Sequence, residues 1–189
     1  MPPPRRHDDA LRATLVELAS ETVALGGGRA LSLRTLAAAA GTTTAAVYTL
    51  FGSRDGLLRA VVEEGFRRFA GHLETVPRTT DPGADLFALG LAYRANALAN
   101  PHFYRVMFGT VEDPASSADV ITSPTFVVLR EAVARLPEAA HPGGAAEDEA
   151  LRLWALVHGL VSLELAGLMP GTPEERAARY ATALRASRG

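Results

Sequence analysis

Ser32-Leu33-Arg34-Thr35-Leu36-Ala37-Ala38-Ala39-Ala40-Gly41-Thr42-Thr43-Thr44-Ala45-Ala46-Val47-Tyr48-Thr49-Leu50-Phe51 is the stretch that decides how this chain is read. It predicts two short helices hinged at Gly41. Ser32 caps the first helix, whose inner face carries Leu33, Leu36, Ala37 and Ala40. A glycine just past that face suits the left-handed conformation that ends a helix. Thr42 or Thr43 then caps the second by accepting a bond from an orphan N–H. That second helix buries Val47 and one of Leu50 or Phe51, while Thr44, Ala45, Tyr48 and Thr49 face outward. Two helices joined by a tight glycine turn, the second with a small outward face, make a helix-turn-helix whose second helix fits a DNA major groove.

Outward from this motif the chain reads as all-α. Asp8 and Asp9 open a first helix with Leu11, Leu15, Leu18, Ala19 and Thr22 at helical spacing, and Gly26-Gly27-Gly28 ends it. Ser53 caps a long fourth helix with Leu57, Leu58, Val61, Val62, Phe66 and Phe69 inward and Pro77 as its stop. Past a break at residues 79–83, Asp85 to Asn100 forms an apolar helix, and His102 to Phe108 a short aromatic one. Residues 110–122 read as a loop, Pro124 to Leu136 as a helix, and a Pro/Gly-rich loop runs on to Gly144. Glu147 to Met169 is the longest and most apolar helix. The last helix opens on Thr172-Pro173-Glu174-Glu175, a capping box with proline in the first turn.

Composition limits what these helices do. At 189 residues the chain has room for one or two domains and a substantial core. With 48% apolar and 21% charged residues it is expected to be a soluble globular protein. There is no cysteine, hence no disulfide framework and no thiolate chemistry. The longest apolar run, Val157 to Met169, is interrupted by His158, Ser162 and Glu164 and is too short to span a membrane. The N-terminal Met-Pro-Pro-Pro-Arg-Arg-His-Asp-Asp lacks the apolar segment of a signal peptide, so a cytoplasmic location is expected. All 19 basic residues are arginine and the net charge is −2. That balance argues against nonspecific coating of nucleic acid but leaves room for a compact DNA-binding module.

After the turn come Tyr48, Phe51, Arg54 and Leu57. Phe51 and Leu57 can lock the motif onto the fourth helix, and Tyr48 and Arg54 can reach DNA phosphates. Together with Ala37 and Gly41, this spacing resembles the N-terminal domain of TetR-family transcriptional regulators over about residues 8–68. Thr42 stands where that family carries an apolar residue, Leu50 where histidine is common, and Arg54 in place of lysine. In the C-terminal half, Trp154 with His158-Gly159 and Leu163-Glu164 resembles the Trp/His-Gly type of ligand-binding domain in the same family. Asn100-Pro101-His102-Phe103-Tyr104 with Met107-Phe108 resembles the middle of that domain.

The resemblance implies a three-helix, homeodomain-like DNA-binding domain over 1–55 and a six-helix regulatory and dimerisation domain over 56–189. It implies a homodimer through the last two helices and a repressor that leaves a pseudo-palindromic operator when a small, largely apolar ligand enters the core. DNA contacts are expected from Thr43, Tyr48 and Arg54 to phosphates and from Thr44, Ala45 and Thr49 to bases, with Arg34 a source of guanine readout. Tyr93, Phe103, Met107, Phe126, Trp154 and His158 are the expected ligand-pocket residues.

Glu164 stands for an anchor to a polar ligand group, a pair across a dimer interface, or an ordinary exposed position. No metal site, cofactor or catalytic group is expected. The serines lack a nucleophile elbow, and Gly26-Gly27-Gly28 sits between helices, the wrong context for binding nucleotides. The competing reading is a helical ligand-binding or interaction module that does not bind DNA.

Overall fold

A computed structural model describes residues 5–109, 123–137 and 145–187. Among these are nine α-helices and no strand: α1 Arg5–Gly26, α2 Leu33–Ala39, α3 Thr44–Phe51, α4 Arg54–Glu74, α5 Pro82–Ala99, α6 Pro101–Phe108, α7 Pro124–Val133, α8 Ala145–Leu165 and α9 Pro173–Ala186. The all-α expectation therefore holds. A 3₁₀ turn over Gly28–Ala30, unforeseen in the sequence, joins α1 to α2. The loops expected at 110–122 and through Gly144 lie outside the described residues.

The helix ends show why these segments stop where they do. Gly167, at φ +72°, lets the chain turn off α8, with its N–H on Glu164 O at 3.0 Å and that of Leu168 on Leu163 O at 2.9 Å. This ends α8 at Leu165, four residues short of Met169. Thr172 and Glu175 form the expected capping box at α9, each side chain bonded to the other's backbone N–H.

Two compact units result. The first takes in described residues up to Arg67 and Asn100–Gly109, so it holds α1 to α3, most of α4, and α6. It is built on one core in which Leu15, Val47, Leu57 and Val61 are fully buried and Phe103 and Val106 of α6 join them. Met107 packs where α4 has Gly65; a β-carbon there would lie 2.5 Å from its sulfur. The expected boundary at residue 55 thus falls inside α4, and α6 packs with the helices before that boundary. Sequence periodicity sees α6 as a separate helix and cannot see which core it enters.

The second unit holds the end of α4 with α5, α7, α8 and α9. Its core includes Leu86, Phe126, Val133, Ala150 and Leu153. Asp85, in the first turn of α5, accepts from the Thr79 hydroxyl at 2.6 Å, the Thr79 N–H at 2.9 Å and Arg135 Nη1 at 2.7 Å. The Thr79 hydroxyl bond, reinforced by the Thr79 amide and Arg135, holds its carboxyl below the ordinary aspartate range. The segment after α4, the start of α5 and the end of α7 are tied together at this point.

Candidate nucleic-acid interface and effector core

In the first unit the helix-turn-helix is capped as its sequence demands. Ser32 Oγ accepts from the Thr35 N–H at 3.4 Å, and Thr43 Oγ1 from the Ala46 N–H at 3.1 Å. Between them Gly41 has φ +66°, with its N–H on Ala38 O at 3.1 Å and the Thr42 N–H on Ala37 O at 2.9 Å. This paired bonding needs a left-handed residue, which glycine adopts without steric cost. It makes the turn tight enough for α2 and α3 to share one core.

On α3, Val47 is fully buried, while Leu50 and Phe51 are each half-buried against that core. The face turned to solvent is Ala45, Tyr48 and Thr49, with Thr44 half-exposed. Tyr48 is 53% exposed, a large aromatic left in water. The Thr49 hydroxyl donates to Ala45 O at 3.0 Å, which leaves its oxygen lone pairs and methyl for a partner. The Thr43 hydroxyl, whose oxygen serves as cap acceptor, still has its proton to donate. Arg34 on α2 is exposed and has no ionic partner among the described residues.

Arg54, expected at a DNA phosphate, is engaged by the main chain in this structure. Its Nη2–H donates to Gly28 O and its Nε–H to Leu31 O at 3.4 Å, while Nη1 lies 3.6 Å from Asp55 Oδ1. The sequence reading aims this guanidinium at a DNA phosphate; the fold aims it at two main-chain carbonyls. Arg12 has no part in the sequence reading, yet its guanidinium stacks over the Phe51 ring, 5.4 Å from the centroid.

The six expected effector-pocket residues divide between the units. Phe103 and Met107 are buried in the first. Tyr93, Phe126, Trp154 and His158 come together in the second, where they form a chain of aromatic contacts. Phe126 meets Trp154 edge-on at 6.4 Å, Trp154 meets His158 at 5.5 Å, and His158 Nδ1 lies 3.2 Å from the Tyr93 hydroxyl. Phe69 of α4 continues the chain, edge-on to Tyr93 at 5.0 Å. The sequence reading has Phe69 as plain core, and no local pattern links it to Tyr93. A separate cleft of about 120 Å³ between the end of α4, α5 and α7 is lined by Leu73, Leu89, Ala132 and Arg135 among others and includes none of the six.

Glu164 is buried rather than exposed. Arg94 clasps it from α5 with two parallel bonds of 2.8 and 2.6 Å.

The Trp/His-Gly half of the chain, residues 86–187, matches the family model described as "Tetracyclin repressor-like, C-terminal domain". Residues 15–61 match the one described as "Bacterial regulatory proteins, tetR family". This chain belongs to the TetR family. As a TetR-family member it is a DNA-binding transcriptional regulator. Among solved structures it is similar to a protein of unknown function from Rhodococcus sp. RHA1, at 31% identity over 93% of this chain and 94% of that one, with a TM-score of 0.71. It shares its fold with the TetR-family regulator PfmR from Thermus thermophilus, at 21% identity over 90% and 97% of the two chains and a TM-score of 0.68. The fatty acid degradation regulator FadR from Bacillus halodurans has the same fold at 13% identity, 94% coverage of each chain and a TM-score of 0.76. No curated protein matches the sequence significantly. No described helix is long and apolar enough to cross a membrane, and no described group of three or more His, Asp or Glu side chains is placed to hold a metal ion.

The stability of the second unit is expected to depend on pH through His158. Burial alone depresses its pKa below the usual 6.5, because desolvation penalises the imidazolium. Unfolded chains bind the proton first as pH falls, so the folded state loses stability progressively below about pH 6.5. Urea unfolding at pH 7.5, 6.5 and 5.5 should show this loss in the parent and less of it in His158→Gln. Parallel pH profiles for the two would refute it.

Proposed function

We propose that this chain is a cytoplasmic, homodimeric repressor that leaves a pseudo-palindromic operator when a small, largely apolar ligand enters its second unit. The observation that carries DNA recognition is α3, an eight-residue helix that leaves Tyr48 in water and buries Val47. Its outward Thr44, Ala45 and Thr49 are small enough for close approach to base edges, and their methyls suit thymine methyls. No Arg, Asn or Gln stands on α3, so recognition leans on apolar contacts and on DNA shape. Arg34 is the one cation of α2 and the candidate for guanine readout.

Support for the ligand site is the contact chain Phe69–Tyr93–His158–Trp154–Phe126, an aromatic cluster that includes the polar pair Tyr93 and His158. A site of that composition takes a mostly hydrocarbon molecule bearing one hydrogen-bonding group. A ligand acts only through its differential affinity for the operator-binding and released states. Dimerisation is supported by α8, where Leu151 and Leu163 are 42% and 46% exposed. Exposed apolar side chains on α8 are available to an interface built with α9.

The test is a titration of the full chain with DNA from upstream of its own gene at several salt concentrations. Binding with a steep salt dependence and a two-fold symmetric footprint is expected. A chain that binds no DNA, or binds with no salt dependence, would leave the helical interaction module as the function.

A further inference from the structure

We infer that Arg54 is a clamp that fixes the helix-turn-helix to the start of α4, and is not a contact to a DNA phosphate. The inference rests on operator binding by α3 and says how that helix is held for it. Arg54 is the first residue of α4, yet its guanidinium folds back across 26 residues of sequence to Gly28 O and 23 to Leu31 O. Gly28 O also receives the Leu31 N–H at 3.2 Å, so the two acceptors bracket the 3₁₀ turn, Gly28 at its first residue and Leu31 at its C-cap. A carbonyl oxygen has two lone pairs and a partial negative charge, so Gly28 O can take the guanidinium beside its main-chain bond.

What this contact encloses gives it a role. Leu31 is buried, and the next residue, Ser32, is the cap of α2. Every residue of α2, the Gly41 turn and α3 lies between Leu31 and Arg54. The clamp closes that segment at both ends, so the helix-turn-helix moves as one body with the first turn of α4. The chemistry fits arginine. Nε and Nη2 present their N–H groups side by side in a fixed plane and reach two acceptors at once, whereas a lysine offers its donors from a single nitrogen. The remaining edge, Nη1, faces the Asp55 carboxylate at 3.6 Å, which offsets its pull on a phosphate.

Operator affinity at four or more salt concentrations, together with amide hydrogen exchange in the DNA-free protein, tests the assignment on Arg54→Ala and Arg54→Lys. A clamp predicts that both variants lose affinity by about tenfold, the effect of one charge-assisted bond, at every salt concentration. The slope of log affinity against log salt stays that of the parent. In free protein, the amides of Ala30 and Leu31 exchange about tenfold faster in Arg54→Ala, with the amide of Tyr180 unchanged as internal reference. A slope shallower by about 0.9 in Arg54→Ala, the signature of one lost phosphate contact, overturns the inference. So does unchanged exchange at Ala30 and Leu31. If Arg54→Ala fails to fold, Arg54→Lys decides, since it keeps the charge and loses the fork. If the parent itself binds no DNA, operator recognition falls and the exchange measurement alone judges the clamp.

Discussion

Replacing Arg94 by alanine should cost this protein roughly 3 kcal/mol of folding stability, the low end of what breaking a buried ion pair costs. The side chains of Arg94 and Glu164 are only 17% and 5% exposed, and both carboxylate oxygens are bonded to the guanidinium. The bonds to Glu164 hold the Arg94 pKa above its ordinary value against the cost of burial. Without the arginine, Glu164 remains in α8 as a buried carboxylate with its main partner removed. The loss should spread, because the same guanidinium sits 5.8 Å from the centroid of the Tyr180 ring, and the fully buried Tyr180 donates its hydroxyl to Gly90 O at 2.8 Å. Helices α5, α8 and α9 therefore meet at one polar knot. Thermal unfolding at fixed protein concentration should show a fall of roughly 6 to 12 °C for Arg94→Ala. The double replacement Arg94→Met with Glu164→Met should recover most of that, since apolar side chains of similar volume often replace a buried pair without loss. A single variant that unfolds at the parent temperature would mean that the pair carries no stability.

This knot also marks where the sequence stops being readable. Glu164 could be an anchor, an interface group or a surface residue because its partner lies 70 residues away. Tyr93 and His158, 65 apart, share the same difficulty. By contrast, the helix-turn-helix is legible almost atom by atom. Its determinants are local: Ser32 and Thr43 as caps, Gly41 at positive φ, Leu33, Leu36 and Ala37 buried on α2, and Val47 buried on α3. Capping and periodicity act over three or four residues, so a linear pattern records them. Phe103 and Met107 show the opposite case. Their aromatic and apolar character is plain, but sequence spacing cannot say that α6 enters the core of α1 and α4. Arg54 shows how a correct motif position can hide a different contact. Its spacing from Tyr48 is that of the family, while its acceptors on the 3₁₀ turn belong to a segment that reads only as a glycine-rich stop.

Tyr48 is the residue on which operator affinity should depend most while stability depends least. Its ring is 53% exposed in the free protein, so truncation to alanine removes little that the fold uses. A phenol at this place on α3 can lay its ring against the sugar-phosphate backbone and donate its hydroxyl to a phosphate oxygen. A hydrogen bond to a charged acceptor contributes about 1.5 to 3 kcal/mol. Tyr48→Ala should therefore weaken operator binding between about tenfold and a hundredfold, with the melting temperature within a degree or two of the parent. Tyr48→Phe separates the two contributions: it keeps the ring and loses only the hydroxyl. Neither change alters the number of charges meeting the DNA, so the salt slope should be that of the parent in both. Fluorescence anisotropy with a labelled operator, run beside thermal melts, reads all three quantities. Unaltered affinity in Tyr48→Ala would mean that α3 meets DNA through another face, and the outward residues Thr44, Ala45 and Thr49 would lose their assignment with it.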